Sequence, residues 1–174
     1  MAPLLQENFS RLERQRSELL NLFKNLPEEK FHVAPTGKWT VAQIITHLIT
    51  SETLSLGYMR KKSLGIEGLK DSGLKQVVVF WLLKISQRIP VRYKAPKAVL
   101  ENTPKPFSKD ELLSRWDHVR HELKSFLDAL PEAHCRRLIF KHPVAGMLDA
   151  RQTVGFMYEH VLHHLPQVKR LLNP

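Results

Sequence analysis

Residues 39–48 read Trp39-Thr40-Val41-Ala42-Gln43-Ile44-Ile45-Thr46-His47-Leu48, and this stretch predicts both a helix and what the helix carries. Thr40 with Gln43 three residues on is a capping-box pattern, in which each side chain satisfies a backbone N–H of the other. Val41, Ile44, Ile45 and Leu48 then fall at the three- and four-residue spacings of an amphipathic helix expected to reach about Lys62. At about 100° per residue, His47 lies roughly 120° from the centre of that stripe, on the edge of the apolar face.

The flanking sequence supplies more helices. Upstream, Leu5, Phe9, Leu12, Leu19, Phe23 and Leu26 form a second stripe, interrupted by Arg16 and stopped by Pro27. Downstream, Gly65, Gly68 and Gly73 punctuate a connection, and residues 74–88 read as a helix so apolar all round that it is expected to lie in the core. Residues 89–107, with Pro90, Pro96, Pro104 and Pro106, read as an irregular crossover long enough to join parallel helices. Ser108 and Glu111 cap the next helix, whose stripe is Leu112, Trp116, Val119, Leu123, Phe126 and Leu130 before Pro131 ends it. Residues 132–149 read as a loop and residues from about 150 to 172 as the last helix. No internal repeat and no convincing alternating strand is found, so the expected fold is all-α, one domain over residues 1–174.

Composition narrows the function. An apolar share of 43% and a charged share of 25% are those of a globular chain, which excludes wholesale disorder. The single cysteine, Cys135, rules out an intrachain disulfide and a cysteine-rich zinc framework, leaving nitrogen and oxygen as metal ligands. The N-terminal residues lack a basic segment followed by an apolar run, so a cytoplasmic location is expected. The longest apolar run, residues 77–83, is about a third of the roughly 20 residues a bilayer span requires. Lys and Arg outnumber Asp and Glu by 27 to 17, but the clusters at Arg60-Lys61-Lys62, Arg92 to Lys97 and Arg136-Arg137 are dispersed and not interleaved with stacking aromatics. Neither nucleic acid nor a membrane is therefore expected as a partner.

Three of the nine histidines, His160, His163 and His164, share the last helix. Its inward stripe is centred on Val154, Val161, Leu165 and Leu172. On that wheel His164 falls at roughly 80° and His160 at roughly 120° on one side of the centre, while His163 at about 180° points to solvent. Imidazoles one turn apart can bind one ion through bonds of about 2.0–2.1 Å, and bundles build metal sites from facing helices, which makes His47 the matching third ligand. Pro166 removes an N–H from the turn after His164, so a kink is expected just beyond the pair.

The block from Trp39 to Leu48 with Glu52 after it, and the block of His142-Pro143, Gly146-Met147-Leu148, His160, His163-His164 and Gln167, resemble the DinB-like superfamily, which includes the YfiT-like metal-dependent hydrolases. The resemblance implies a four-helix bundle of up-down-down-up order with a long crossover and an additional short helix. It also implies a divalent metal, zinc or nickel, on one histidine of the second helix and an i, i+4 pair of the last, which are His47, His160 and His164 here. Relatives include thiol-dependent transferases and isomerases, so the expected activity is hydrolysis or low-molecular-weight-thiol transfer on a small-molecule substrate. The alternative is a non-catalytic, metal-stabilised module that binds a protein or an anionic partner, and homodimer formation is left open.

No general base is identified. Glu52 falls near the centre of its helix stripe, where a carboxylate needs a partner: either a ligand histidine that it orients or a buried Arg or hydroxyl. His142 is a candidate to approach the metal from the final loop, His118 flanks its own stripe as His47 does, and both are expected more simply in surface or loop roles. Cys135 beside Arg136 and Arg137 has the setting for a lowered pKa, although a lone loop cysteine is usually incidental.

Overall fold

The computed structural model describes residues 1–88 and 107–172. Six α-helices occur among them: α1 (Pro3–Phe23), α2 (Glu28–Phe31), α3 (Val41–Ser63), α4 (Leu74–Arg88), α5 (Lys109–Ala129) and α6 (Ala150–Leu172). Short 3-10 turns occupy Ile66–Gly68 and Glu132–His134. Within the region expected to be loop, strands β1 (Phe140–His142) and β2 (Gly146–Leu148) form an antiparallel hairpin with Phe140 opposite Leu148. The Pro-rich crossover and the Arg92 to Lys97 cluster lie outside the described residues, apart from Phe107.

The helix ends are set by the residues that satisfy their free backbone groups. Thr40 Oγ1 accepts from Gln43 N at 3.1 Å and Gln43 Oε1 accepts from Thr40 N at 2.9 Å, which completes the expected capping box on α3. Ser108 caps α5 through Glu111 N. At the start of α6 Asp149 and Gln152 make a reciprocal pair, Gln152 N donating to Asp149 Oδ1 at 2.8 Å and Asp149 N to Gln152 Oε1 at 3.1 Å. Ser72 Oγ and Arg151 Nη2 bind the other Asp149 oxygen, so the register of the last helix is fixed from both sides.

Contacts between named residues give the helix directions. Met1 sits near Asp128, Glu13 binds Arg120 and Arg16 binds Asp117, so α1 and α5 are antiparallel. Asn8 donates to Arg151 O and the Arg11 guanidinium lies over the Tyr158 ring, so α1 and α6 are parallel. Glu52 meets Arg120 and Arg60 meets Glu122, which makes α3 run with α5. The order is up-down-down-up. Helix α4 runs with α6, as Phe80 meets Gly155, Arg88 meets Glu159 and Gln87 meets His163, and it carries the chain back between two parallel elements.

The core is built largely from the predicted stripes: Leu5, Phe9, Leu12, Leu19 and Phe23 of α1, Val41, Ile44, Ile45 and Leu48 of α3, Leu112, Trp116, Val119 and Leu123 of α5, and Val154 and Val161 of α6 are all buried, joined by Met157 and Val168, while Leu26, Phe126, Leu165 and Leu172 are half-buried. Each such aliphatic or aromatic side chain contributes about 1.5–3 kcal/mol on leaving water. The expectation that residues 74–88 lie in the core is corrected. Leu83 is the buried residue of α4, while Leu74, Val77, Val78, Trp81, Leu82 and Ile85 are exposed, because α1, α3, α5 and α6 already close the interior and α4 docks outside on α6. No helix among the described residues is long and apolar enough to cross a membrane.

Candidate metal centre

The caps on α3 and α6 orient the facing flanks of the two helices, and three imidazoles meet there. Ring centroids of His47, His160 and His164 form a nearly equilateral triangle with sides of 5.1, 5.1 and 5.0 Å. One nitrogen of each lies within 4.8 Å of the others. His47 Nε2 and His160 Nε2 face each other at 3.2 Å. Two nitrogens bound tetrahedrally at 2.0–2.1 Å stand about 3.3 Å apart, so this edge already has the length that a shared ion requires.

The protonation states suit a cation. Burial, followed by the neighbouring His163, pushes His47 down to about 4, and burial followed by His47 does the same for His164. Burial and then His164 hold His160 well below the ordinary imidazole range. All three are therefore neutral near pH 7. His164 gives its Nδ1–H to Gln167 Oε1 at 3.2 Å, which leaves a lone pair on Nε2. Only one of the two facing Nε2 atoms of His47 and His160 can carry a hydrogen, so the cluster holds more converging lone pairs than donors. His47 Nδ1 is buried without a hydrogen-bond partner among the described residues. The donor set thus fits a divalent metal.

Aromatic walls frame the triangle. Trp39 lies parallel to His164 at 6.4 Å and edge-on to His47 at 5.2 Å, while Phe156 stacks on His160 at 5.4 Å. His47 is buried, whereas His160 and His164 are half-buried. Trp39 stood in the stretch that carries the family resemblance but was given no role there, and Phe156 was not singled out in the sequence. Phe156 stands one helical turn before His160, and that i, i+4 relation is the signal that finds it.

The other candidates sit elsewhere. Glu52 does not orient a ligand histidine: its Oε1 accepts from Arg120 Nη2 at 2.7 Å, and its Oε2 from Arg120 Nε at 2.7 Å and Trp116 Nε1 at 3.1 Å. Of the two roles the sequence allowed, the buried arginine pair is the one present. His142 Nδ1 accepts from the Val144 and Ala145 amides at 3.2 and 3.0 Å, so it shapes the hairpin turn. Its ring packs on Phe156 at 4.4 Å and stands behind that wall from His160, with burial lowering it to about 4. His163 does not point to solvent; half-buried, it donates from Nδ1 to Gln87 O at 2.8 Å because α4 docks on its face. His118 is exposed. The Cys135 thiol is buried and raised by burial and then Glu132, the opposite of an activated thiol. Helix α6 continues through Pro166 to Leu172.

The sequence profile of the DinB superfamily matches residues 11–168, a span that holds all three histidines. YuaE of Bacillus subtilis (strain 168), named as an uncharacterized protein, is 27% identical over 157 residues, covering 90% of this chain and 91% of that one. No solved structure matches the chain.

Proposed function

We propose that this chain, which belongs to the DinB superfamily, holds a divalent ion, zinc or nickel, on His47, His160 and His164 and uses it to hydrolyse a small molecule or to transfer a low-molecular-weight thiol to one. The observation that carries the reading is the convergence of one nitrogen from each of three neutral imidazoles within 4.8 Å. Three neutral ligands leave such an ion its full charge and a further coordination position, which supplies a Lewis acid able to acidify a water or a thiol.

The chain's own residues would do the rest. Gln167 fixes the His164 ring so that Nε2 faces inward. Trp39 and Phe156 flank the cluster, and their apolar faces would offer contact to the carbon skeleton of a substrate approaching the half-buried His160 and His164. No carboxylate joins the converging donors among the described residues, so the ion's charge is not offset within the donor set.

Elemental analysis of protein purified without an affinity tag tests the reading, with about one equivalent of zinc or nickel per chain expected. The His160→Ala variant is expected to keep the helical circular dichroism but lose the metal, together with turnover of an ester or of a thiol plus a thiol-reactive electrophile. Unchanged metal in that variant would refute the ligand set. Stoichiometric metal without turnover would favour the non-catalytic, metal-stabilised binding module instead.

A further inference from the structure

A metal ion takes an imidazole well only when the ring's lone pair points at it to within about 10–20°. The torsion that turns an imidazole about its Cβ–Cγ bond is broad, so the rotamer alone does not set that direction and neighbouring groups must. Ligand histidines ordinarily receive it from a hydrogen bond behind the ring. His164 has one, from its Nδ1 to Gln167 Oε1 at 3.2 Å. His160 lies against the Phe156 ring at 5.4 Å and 13°, which holds its plane.

His47 has no such hydrogen bond among the described residues. Its Nδ1 is buried there without a partner, and its other nitrogen faces His160 within the cluster. From outside the cluster, the aromatic ring that meets His47 among the described residues is Trp39, edge-on at 5.2 Å and 65°. The same indole runs parallel to the His164 ring, at 6.4 Å and 6°, so one half-buried side chain faces a histidine of α3 and another of α6. Trp39 is itself held from both ends. Before it, Lys38 N donates to Pro35 O at 3.0 Å in a turn where Gly37 takes φ +73°, a left-handed conformation that glycine adopts at no steric cost. After it, the capping box of Thr40 and Gln43 fixes the start of α3. A rigid ring on a fixed backbone supplies by contact the direction that a hydrogen bond would otherwise give.

We propose that Trp39 is a positioning residue of the centre, the side chain that aims the His47 ring at the ion by packing rather than by hydrogen bonding. The inference rests on the metal reading of the three histidines and adds to it what orients the ligand that lacks a hydrogen bond behind its ring. A residue that only stabilises the fold shifts the unfolding of metal-free and metal-loaded protein alike and leaves the affinity of the folded chain unchanged. A positioning residue changes that affinity.

Titration of the metal-stripped full chain, without a tag, with zinc and with nickel against a chelating indicator tests the proposal. Trp39→Leu is expected to bind the ion about 10–100-fold more weakly than the wild type, the loss typical when a ligand histidine loses the neighbour that orients it. The visible absorption bands of its cobalt-loaded form are expected to shift as the coordination geometry relaxes. Trp39→Phe, which keeps a rigid ring on the same backbone, is expected to recover most of the affinity. Should Trp39→Leu not fold, Trp39→Met, a larger apolar side chain without a fixed face, takes its place with the same expectation. Wild-type affinity and an unchanged cobalt spectrum in the variant without a ring overturn the proposal while the ligand set stands. A wild-type chain that binds neither zinc nor nickel overturns the metal reading and this inference with it.

Discussion

Replacing Arg120 with methionine is expected to destabilise the protein by about 3–5 kcal/mol, the loss typical of removing one partner from a buried ion pair. Arg120 and Glu52 are 2% and 3% exposed, and the guanidinium supplies two of the three hydrogen bonds that Glu52 accepts. Without it, the carboxylate keeps a single indole donor from Trp116 in an otherwise apolar setting. Methionine replaces much of the aliphatic stem, so the cavity contribution is small and the loss is mainly that of an unpaired buried charge. Removing both charges, as in Glu52→Leu with Arg120→Met, leaves the Trp116 N–H without an acceptor, a penalty of about 1–3 kcal/mol, while Glu13, which also loses Arg120, is partly exposed and keeps Arg16. The double variant is therefore expected to be more stable than the Arg120→Met single variant by about 2 kcal/mol. Urea unfolding followed by circular dichroism, with equal slopes in all four members of the cycle, gives these differences from the midpoints. A single variant within about 1 kcal/mol of wild type, or a double variant that loses the sum of the two singles, would show that the pair behaves as an exposed one and refute the reasoning.

Acid should destabilise the metal-free protein. Burial holds His47, His142 and His164 at about 4 against 6.5, so the unfolded chain takes up protons that the folded chain refuses. Stability is full above 6.5, falls as pH drops through that window and levels off below 4. His142→Asn, which keeps an acceptor for the Val144 and Ala145 amides, should remove about 2 kcal/mol of the loss between pH 7 and about pH 5 in urea midpoints, and an unchanged pH slope would count against burial as the cause. A Cβ at position 155 would lie 2.7 Å from Phe80 Cζ. Overpacking of about 1–3 kcal/mol should outweigh the up to ~1 kcal/mol that alanine gains in a helix, so Gly155→Ala lowers the melting temperature and Phe80→Leu added to it restores it; a more stable single variant would refute the tight contact.

The three histidines were legible because each question was local: a wheel decides which flank a side chain takes, and the capping box at Thr40 and Gln43 fixes where the wheel starts. Glu52 was half legible. Its place in the stripe said that it needs a partner, but the partner stands 68 residues away on another helix and nothing in either stripe ranks Arg120 above a nearby histidine. For α4 the inference failed for a different reason. Composition reports what a helix would bury, whereas its actual burial depends on whether the interior still has a side open, and four longer helices leave none. The same docking hides His163, which a wheel built on the four-helix interior assigns to water. The hairpin escaped notice because three-residue strands are too short to display alternation, and Gly146, at φ +71°, was its one local mark.

One turn of α6 grips two neighbours at once: Glu159 and His163 hold the end of α4, while His160 and His164 meet His47 on α3. The two pairs are offset by a single residue, so turning the helix about its axis to bring one pair closer to its neighbour swings the other pair along the same arc. The turn behaves as a crank with two handles. Were an occupant of the histidine side to favour such a rotation, the Arg88 clasp would be coupled to it, and reciprocity would then make a change in how α4 is held act back on the histidine side.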